Sequence, residues 1–262
     1  MAVKLEEIIA FKKEEIEDFK RELPLDKIES RLEIINDSKA LYMAEHLRNS
    51  NTGIIAEFKR RSPSRGWINR DASAKVIPLS YENNGATAIS IHTDANFYAG
   101  SSLFIRNART KGVKVPILYR NFIIDEYQVY QARLFGANAI QLIAACLTKE
   151  ACRSMIAKAH ELKMEVLLEI HSEEEADYIG LEPDMCGICN RDLNTDEVDI
   201  SKSYQLVNLI PDHIVKVSED GLSDPDTVRS LRNVGYKGFL IGEYFMMSPD
   251  PGQALQTFIS HL

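Results

Sequence analysis

The feature that most restricts the fold is an alternation. Eight short β-rich runs, GIIAEF (53–58), AISIHT (88–93), VPILY (115–119), AIQLIA (139–144), EVLLEI (165–170), MCGIC (185–189), HIVKVS (213–218) and GFLIG (238–242), are each followed by a segment of helical periodicity. Those segments are 74–83, 103–110, 127–134, 149–162, 173–179, 201–209, 224–233 and 251 to the C-terminus. Apolar strands separated by helices belong to parallel sheets covered on both faces, because a right-handed crossover helix is the short way to return the chain. Eight such units predict an α/β chain closed into a (β/α)8 TIM barrel, and 262 residues are enough to build one. A doubly wound open sheet would carry G-x-G-x-x-G after its first strand, whereas here the first run leads into EFKRRSPSRG.

Residues 1–50 differ from the rest, and the barrel is assigned to 51–262. Leu5, Ile8, Ile9, Phe11, Ile16 and Phe19 recur at near-helical spacing among Lys and Glu, and weaker helical stretches follow at 28–34 and 40–47. The start is acidic and lacks a signal-peptide core, and no apolar run is long enough to span a bilayer, so a cytoplasmic protein without membrane partners is expected. A formal charge of −8 argues against a nucleic-acid surface but leaves room for a local pocket that takes a small phosphate ester. Cys186 and Cys189 form a C-x-x-C without the second pair that a zinc ribbon would need. With Cys146 and Cys152 they read as reduced thiols, and no metal is expected.

In a barrel of this kind the chemistry sits at the C-terminal ends of the strands. Those ends carry Glu57 and Lys59, His92 and Asp94, Arg120 and Asn121, Gln141, Glu169 and His171, then Cys189 to Asp192, Ser218 to Asp220, and Gly242 with Glu243. Glu57, Glu169 and Glu219 lie within apolar runs, where a carboxylate needs a cationic partner or a raised pKa. Lys59 and Arg191 are the expected partners. The glycines after strands seven and eight would let a backbone approach a ligand, the usual phosphate position, although a structural turn explains them equally well.

The runs IIAEFKRRSPSRGWI, FIIDEYQVYQARLFGA, EVLLEIH, GICNRDL, VSEDG, FLIGE and DPGQAL, in this order and spacing, resemble the indole-3-glycerol phosphate synthase family over nearly the whole chain. The resemblance implies a carbon–carbon lyase of tryptophan biosynthesis. Its substrate is a small phosphorylated aromatic, carboxyphenylamino-deoxyribulose phosphate, and the reaction is ring closure, decarboxylation and dehydration without a cofactor. It also implies that the N-terminal helical extension covers the barrel mouth. Position by position, it assigns Glu57 and Lys59 to ordering the substrate and neutralising its anions, Glu169 to acid–base work in dehydration, and Glu219 to holding the network. Ser62, Cys189 and Arg191 fall at substrate-contacting positions, Tyr98 and Phe122 around the aromatic ring, and Asp220, Gly221, Gly242 and Glu243 at the phosphate end. A monomer or weak homo-oligomer is expected.

Departures from the family pattern cluster at the same strand ends. Arg120 stands where L-R-K-D-F places the lysine general acid, with Asn121 after it. Cys189 replaces an Asn of G-x-N-N-R, Asp220 replaces a Ser of S-E-S-G, and His92 stands at a usually apolar position. An arginine, with a pKa above about 12, is a poor proton donor near neutrality. Asp220 is expected to repel a phosphate dianion. Three readings follow: a synthase with impaired turnover, a silent phosphometabolite-binding paralogue, or a scaffold with a repurposed or engineered pocket. In the last, Cys189 and His92 would be nucleophile and base.

Overall fold

The computed structural model describes residues 4–35, 41–193 and 195–262. Eight parallel strands close into a barrel in which each pairs with its neighbours in sequence and the last pairs with the first. They are β1 (Ile54–Phe58), β2 (Ala88–His92), β3 (Ile117–Arg120), β4 (Ala139–Ile143), β5 (Glu165–Ile170), β6 (Met185–Cys189), β7 (Val215–Glu219) and β8 (Gly238–Ile241). All eight predicted runs are therefore strands.

Strand alternation divides the barrel into two cores. Outward residues such as Ile54, Ala56, Phe58, Ile89, Ile91, Val166, Leu168, Cys186 and Ile188 pack beneath the surrounding helices. Inward residues at the strand starts, Ile55, Ala88, Leu118, Ala139, Leu167, Met185, Val215 and Leu240, make a second, apolar core. Two residues further along, the inward positions are Glu57, Ser90, Arg120, Gln141, Glu169 and Gly187, and β7 reaches Glu219 two residues past inward Val217. The interior thus changes from hydrocarbon to charge within one layer.

Three helices precede the barrel: α1 (Leu5–Glu22), α2 (Leu25–Ile35) and α3 (Met43–Asn49). The predicted stretch 28–34 lies within α2; of 40–47, residue 40 is outside the described residues and the remainder is largely α3. The three helices pack on different parts of the barrel. Leu5 and Ile8 of α1 reach the mouth, where buried Lys12 pairs with Asp94 just past β2 at 2.5 Å. Ile16 and Ile28 pack on Tyr127, Tyr130 and Leu134 at the barrel's side. Met43, Ala44 and Leu47 of α3 plug the opposite end, where the Ala44 backbone N–H donates to Glu165 Oε2 at 3.0 Å. Among the described residues of the extension, only Leu5 and Ile8 of α1 line the mouth cavity.

The remaining helices are α4 (Ile77–Asn83), α5 (Leu103–Thr110), α6 (Glu126–Phe135), α7 (Lys149–Glu161), α8 (Ser201–Leu206), α9 (Pro225–Asn233), α10 (Glu243–Met246) and α11 (Pro251–Ile259), with a 3₁₀ helix at Glu173–Leu181. Their limits follow local chemistry. In α6, Asp125 and Gln128 form a reciprocal capping box, and Gly136 ends the helix at φ 97°. Asp224-Pro225 and Asp250-Pro251 open α9 and α11, the aspartate accepting from the first-turn N–H groups and the proline needing no partner. Two features escape the sequence reading. One is a two-residue hairpin ladder, Arg61–Ser62 with Gly66–Trp67, and the other is the single turn of α10 directly after β8.

Candidate active site

At the mouth, Arg120 from the end of β3 stands among three glutamates. Its Nη1 is 3.2 Å from Glu57 Oε1 and 3.1 Å from Glu219 Oε2, and its Nη2 is 3.4 Å from Glu169 Oε2. The Nη1 contacts are ion pairs by distance without hydrogen-bond alignment. Glu57 also meets Lys59 Nζ at 3.0 Å and His92 Nε2 at 3.1 Å. Glu169 is further held by Gln141 Nε2 on one oxygen and lies 3.0 Å from His171 Nε2 on the other.

Two glycines make space for these carboxylates. A Cβ at Gly242 would collide with Glu57 Oε2, and one at Gly187 with Glu219 Oε1. Gly242 therefore serves the β1 carboxylate as well as the rim of the site.

Burial and pairing set the charge states in opposition. Burial pushes Glu57 up, but Lys59, then Arg120 and His92, outweigh it and hold the carboxyl well below its usual range. Burial likewise opposes Glu169, which His171 and Arg120 bring below the ordinary value. Glu219 goes the other way: burial first, then its neighbour Glu169, drive it well above the carboxylate range, so it keeps its proton. Burial opposes the charge on Lys59 and Arg120, but Glu57 together with Asp220 for Lys59, and with Glu219, Glu169 and Asp220 for Arg120, outweighs it and keeps both cationic. Burial lowers His92, which is neutral and stacks on Tyr98 with centroids 4.0 Å apart.

The cavity above this network is bounded by Lys59, Ser62, Tyr98, Phe122, Cys189 and Arg191, with Leu5 and Ile8 of α1 as its cover. Tyr98 and Phe122 have ring centroids 6.2 Å apart. A second cavity adjoins it, sharing Ser64, Arg191, Asp196, Asp220 and Glu243, and is bordered by Gly221, Leu222, Ser223 and Gly242. All the predicted site residues therefore meet in one composite pocket except Glu57 and Glu219, which lie directly beneath it.

Two expected pairings are different in the structure. Arg191 does not neutralise the buried glutamates; two residues past the end of β6, it binds Asp196 Oδ1 at 3.0 Å and Asp220 Oδ2 at 3.3 Å. The Cys189–His92 dyad is replaced as well. His92 is committed to Glu57, and the imidazole beside the Cys189 sulfur is that of His171. The Cys189 thiol is pushed up to about 12 by burial and by Glu169 and Asp220, which leaves it protonated rather than nucleophilic. Asp220, at φ 63°, is held below its usual value against burial by Lys59, Arg120 and Arg191, so the negative charge expected there is present but paired.

Sequence reasoning underrated His171, Gln141 and the Lys12–Asp94 pair. His171 was recoverable from its i,i+2 relation to Glu169, which places both on one side of the chain. Lys12 carries no such signal, since a lysine on an amphipathic helix ordinarily faces water.

A charged centre at the C-terminal end of an eight-stranded parallel barrel, with a ring-walled chamber opening onto a glycine-edged one, defines a barrel enzyme of the kind that handles small phosphorylated metabolites. Comparison with known proteins makes this particular. The family described as Indole-3-glycerol phosphate synthase matches residues 5–258. An indole-3-glycerol phosphate synthase of Bacteroides thetaiotaomicron is 48% identical over 97% of both chains, and one of Prochlorococcus marinus is 39% identical over 94% of this chain and 85% of its own. The chain belongs to the indole-3-glycerol phosphate synthase family and is an enzyme of that type. Among solved structures, 3-hexulose-6-phosphate synthase from Salmonella typhimurium superposes with a TM-score of 0.62 at 13% identity, covering 80% of this chain and all of its own. KGPDC from Streptococcus mutans gives 0.59 at 14%, covering 80% and 96%; both likenesses concern the barrel alone. The comparisons lend no support to an engineered pocket. Among the described residues, no helix is long and apolar enough to cross a membrane.

Proposed function

We propose that the chain closes the pyrrole ring of carboxyphenylamino-deoxyribulose phosphate, with Lys59 as the proton donor that Arg120 cannot be. The supporting observation is the composite pocket, whose ring-walled inner chamber suits the anthranilate and whose glycine-edged outer chamber suits the phosphate. Protonation of the ketone oxygen draws the aromatic carbon onto the carbonyl carbon, forming the new carbon–carbon bond. Loss of the carboxylate as CO2 restores the electron pair to the ring, and loss of the hydroxyl as water completes the indole.

Among the described residues, Lys59 is the one amine that lines the inner chamber. Arg120, held cationic beside ionised Glu57 and Glu169, orients the substrate carboxylate and stabilises developing negative charge without giving up a proton. Glu169 is ionised and positioned to take and return protons during dehydration, and protonated Glu219 beneath it keeps the two carboxyls from repelling each other. Ser62, Tyr98 and Phe122 hold the aromatic half, and Gly221, Gly242 and Glu243 border the phosphate half with Asp220 and Arg191 at the division. No organic cofactor enters this scheme. The protein works in the cytoplasm, without nucleic acid, as a monomer or weak homo-oligomer.

The test is to supply the deoxyribulose phosphate and follow indoleglycerol phosphate by fluorescence. Turnover is expected, slower than in a relative that carries lysine at the Arg120 position. Saturable binding of a non-cyclising substrate analogue with no product would instead identify a silent binder.

A further inference from the structure

Within the pocket, the residues at the ends of β5 and β6 form an arrangement that the proposed reaction does not use. Glu169, His171 and Cys189 are all buried, and each directs one donor atom to a common point, with the three atoms within 4.8 Å of one another. His171 Nε2 is 3.0 Å from Glu169 Oε1 yet makes no aligned hydrogen bond, so a buried imidazole nitrogen is left without a directed partner. On its far side, His171 Nδ1 lies 3.4 Å from Glu175 Oε2, and the same oxygen accepts from the His171 backbone N–H at 2.8 Å. This carboxylate–imidazole pairing fixes the ring and turns Nε2 inward, the relation found behind metal-bound histidines. The Cys189 sulfur lies 3.6 Å from Asp220 Oδ2 and beside the His171 imidazole.

We propose that Glu169 Oε1, His171 Nε2 and Cys189 Sγ form a binding site for a borderline-soft divalent cation of the zinc class. One thiolate, one imidazole and one carboxylate suit tetrahedral zinc, with metal–ligand distances of about 2.0–2.3 Å and a fourth position open toward the cavity. Donors up to 4.8 Å apart need only a modest inward movement of the side chains to reach them. When the cation coordinates, the Cys189 thiol proton and the proton that Glu169 and Glu175 hold on the His171 imidazole both leave to solvent. The C-x-x-C takes no part as a pair, because three residues along a strand reverse the side: Cys186 packs outward beneath the helices and Cys189 faces the pocket. Arg120 is not an obstacle, since it approaches the other Glu169 oxygen.

The consequence for catalysis rests on the proposed role of Glu169: with its carboxylate engaged, the cation inhibits turnover. The binding claim is separable from that role. Co2+ titrated into the full chain, without substrate, is expected to give a thiolate-to-cobalt charge-transfer band with tetrahedral d–d absorption, and Zn2+ is expected to displace it. Cys189→Ser removes the charge-transfer band, while Cys146→Ser keeps it. Glu175→Gln retains the band but weakens affinity by about 10- to 100-fold, as expected of a positioning residue. Cys189→Asn provides a second variant if serine disturbs folding, which is checked by circular dichroism. A band absent from the unaltered protein, or one that survives both Cys189 substitutions, overturns the site. Co2+ binding without inhibition of turnover leaves the site standing and counts against the role given to Glu169.

Discussion

The two ends of the barrel bury carboxylates in opposite ways. At the mouth, Glu57, Glu169, Glu219 and Asp220 share Lys59, Arg120, His171 and Arg191, and three of the four carboxyls stay ionised. At the closed end, Glu165 enters beneath α3 with a backbone N–H as its partner, and burial, reinforced by Asp184, pushes it up to about 7. The same residue type on the same strand, four positions apart, is thus an ion at one end and close to half-protonated at the other. Proximity of cations decides the difference, because both sites are similarly removed from water.

The comparison is tested most strongly where charge is meant to do chemistry. Glu169→Gln keeps size and hydrogen-bonding capacity but removes the proton acceptor, and kcat is expected to fall by about 10²–10⁴-fold with little change in thermal stability. A similar loss in KM alone would mean that Glu169 binds rather than transfers protons.

The cover of the mouth comes next. Lys12 is fully buried against Asp94, whose other oxygen accepts from the backbone N–H groups of Phe97 and Tyr98. Lys12→Met leaves that carboxylate without its cation, and about 3–5 kcal/mol of α1 docking is expected to be lost. Hydrogen exchange should rise in α1 and in the turn that carries Tyr98, while the closed end stays protected.

At the closed end the sign reverses. Folding raises the Glu165 pKa from near 4.5 to about 7, so the folded state takes up a proton. The carboxyl costs nothing below the unfolded value, and its penalty grows as pH rises, reaching about 3 kcal/mol above pH 7. Glu165→Gln is expected to recover most of that amount at pH 8 and almost none at pH 4, read as denaturation midpoints. Equal gains at both pH values would show that packing, not ionisation, sets the effect.

The smallest expected change sharpens the contrast from the mouth's side. Arg120→Lys places an amine where the guanidinium now stands among three glutamates, and turnover is expected to rise by about tenfold. Adding Asn121→Asp should change that gain non-additively, since Asn121 bonds Thr93 Oγ1 and the Phe122 N–H beside it. No change in either variant would show that ring closure does not limit the rate.

Much of the architecture was legible because its signals are local. The apolar runs and the helical periodicity between them each lie within a few residues, and eight strand–helix units leave little choice but closure. The strand-end rule gathered the charged residues at and beneath the mouth, from Glu57 to Glu243, and the family resemblance added Ser62, Tyr98 and Phe122. The expected Lys59–Glu57 pair is present, but tertiary structure decided the other partners. Arg120 rather than Arg191 neutralises the glutamates, and His171 rather than His92 meets Cys189, because barrel stagger sets neighbours across strands far apart in sequence. It also decided that α1 covers the mouth while α3 plugs the opposite end, and that Lys12 is buried, since an amphipathic pattern fixes which face is apolar but not what that face meets. The charge states came last, for the pKa of a buried group depends on donors and cations that only the closed barrel brings within a few ångströms.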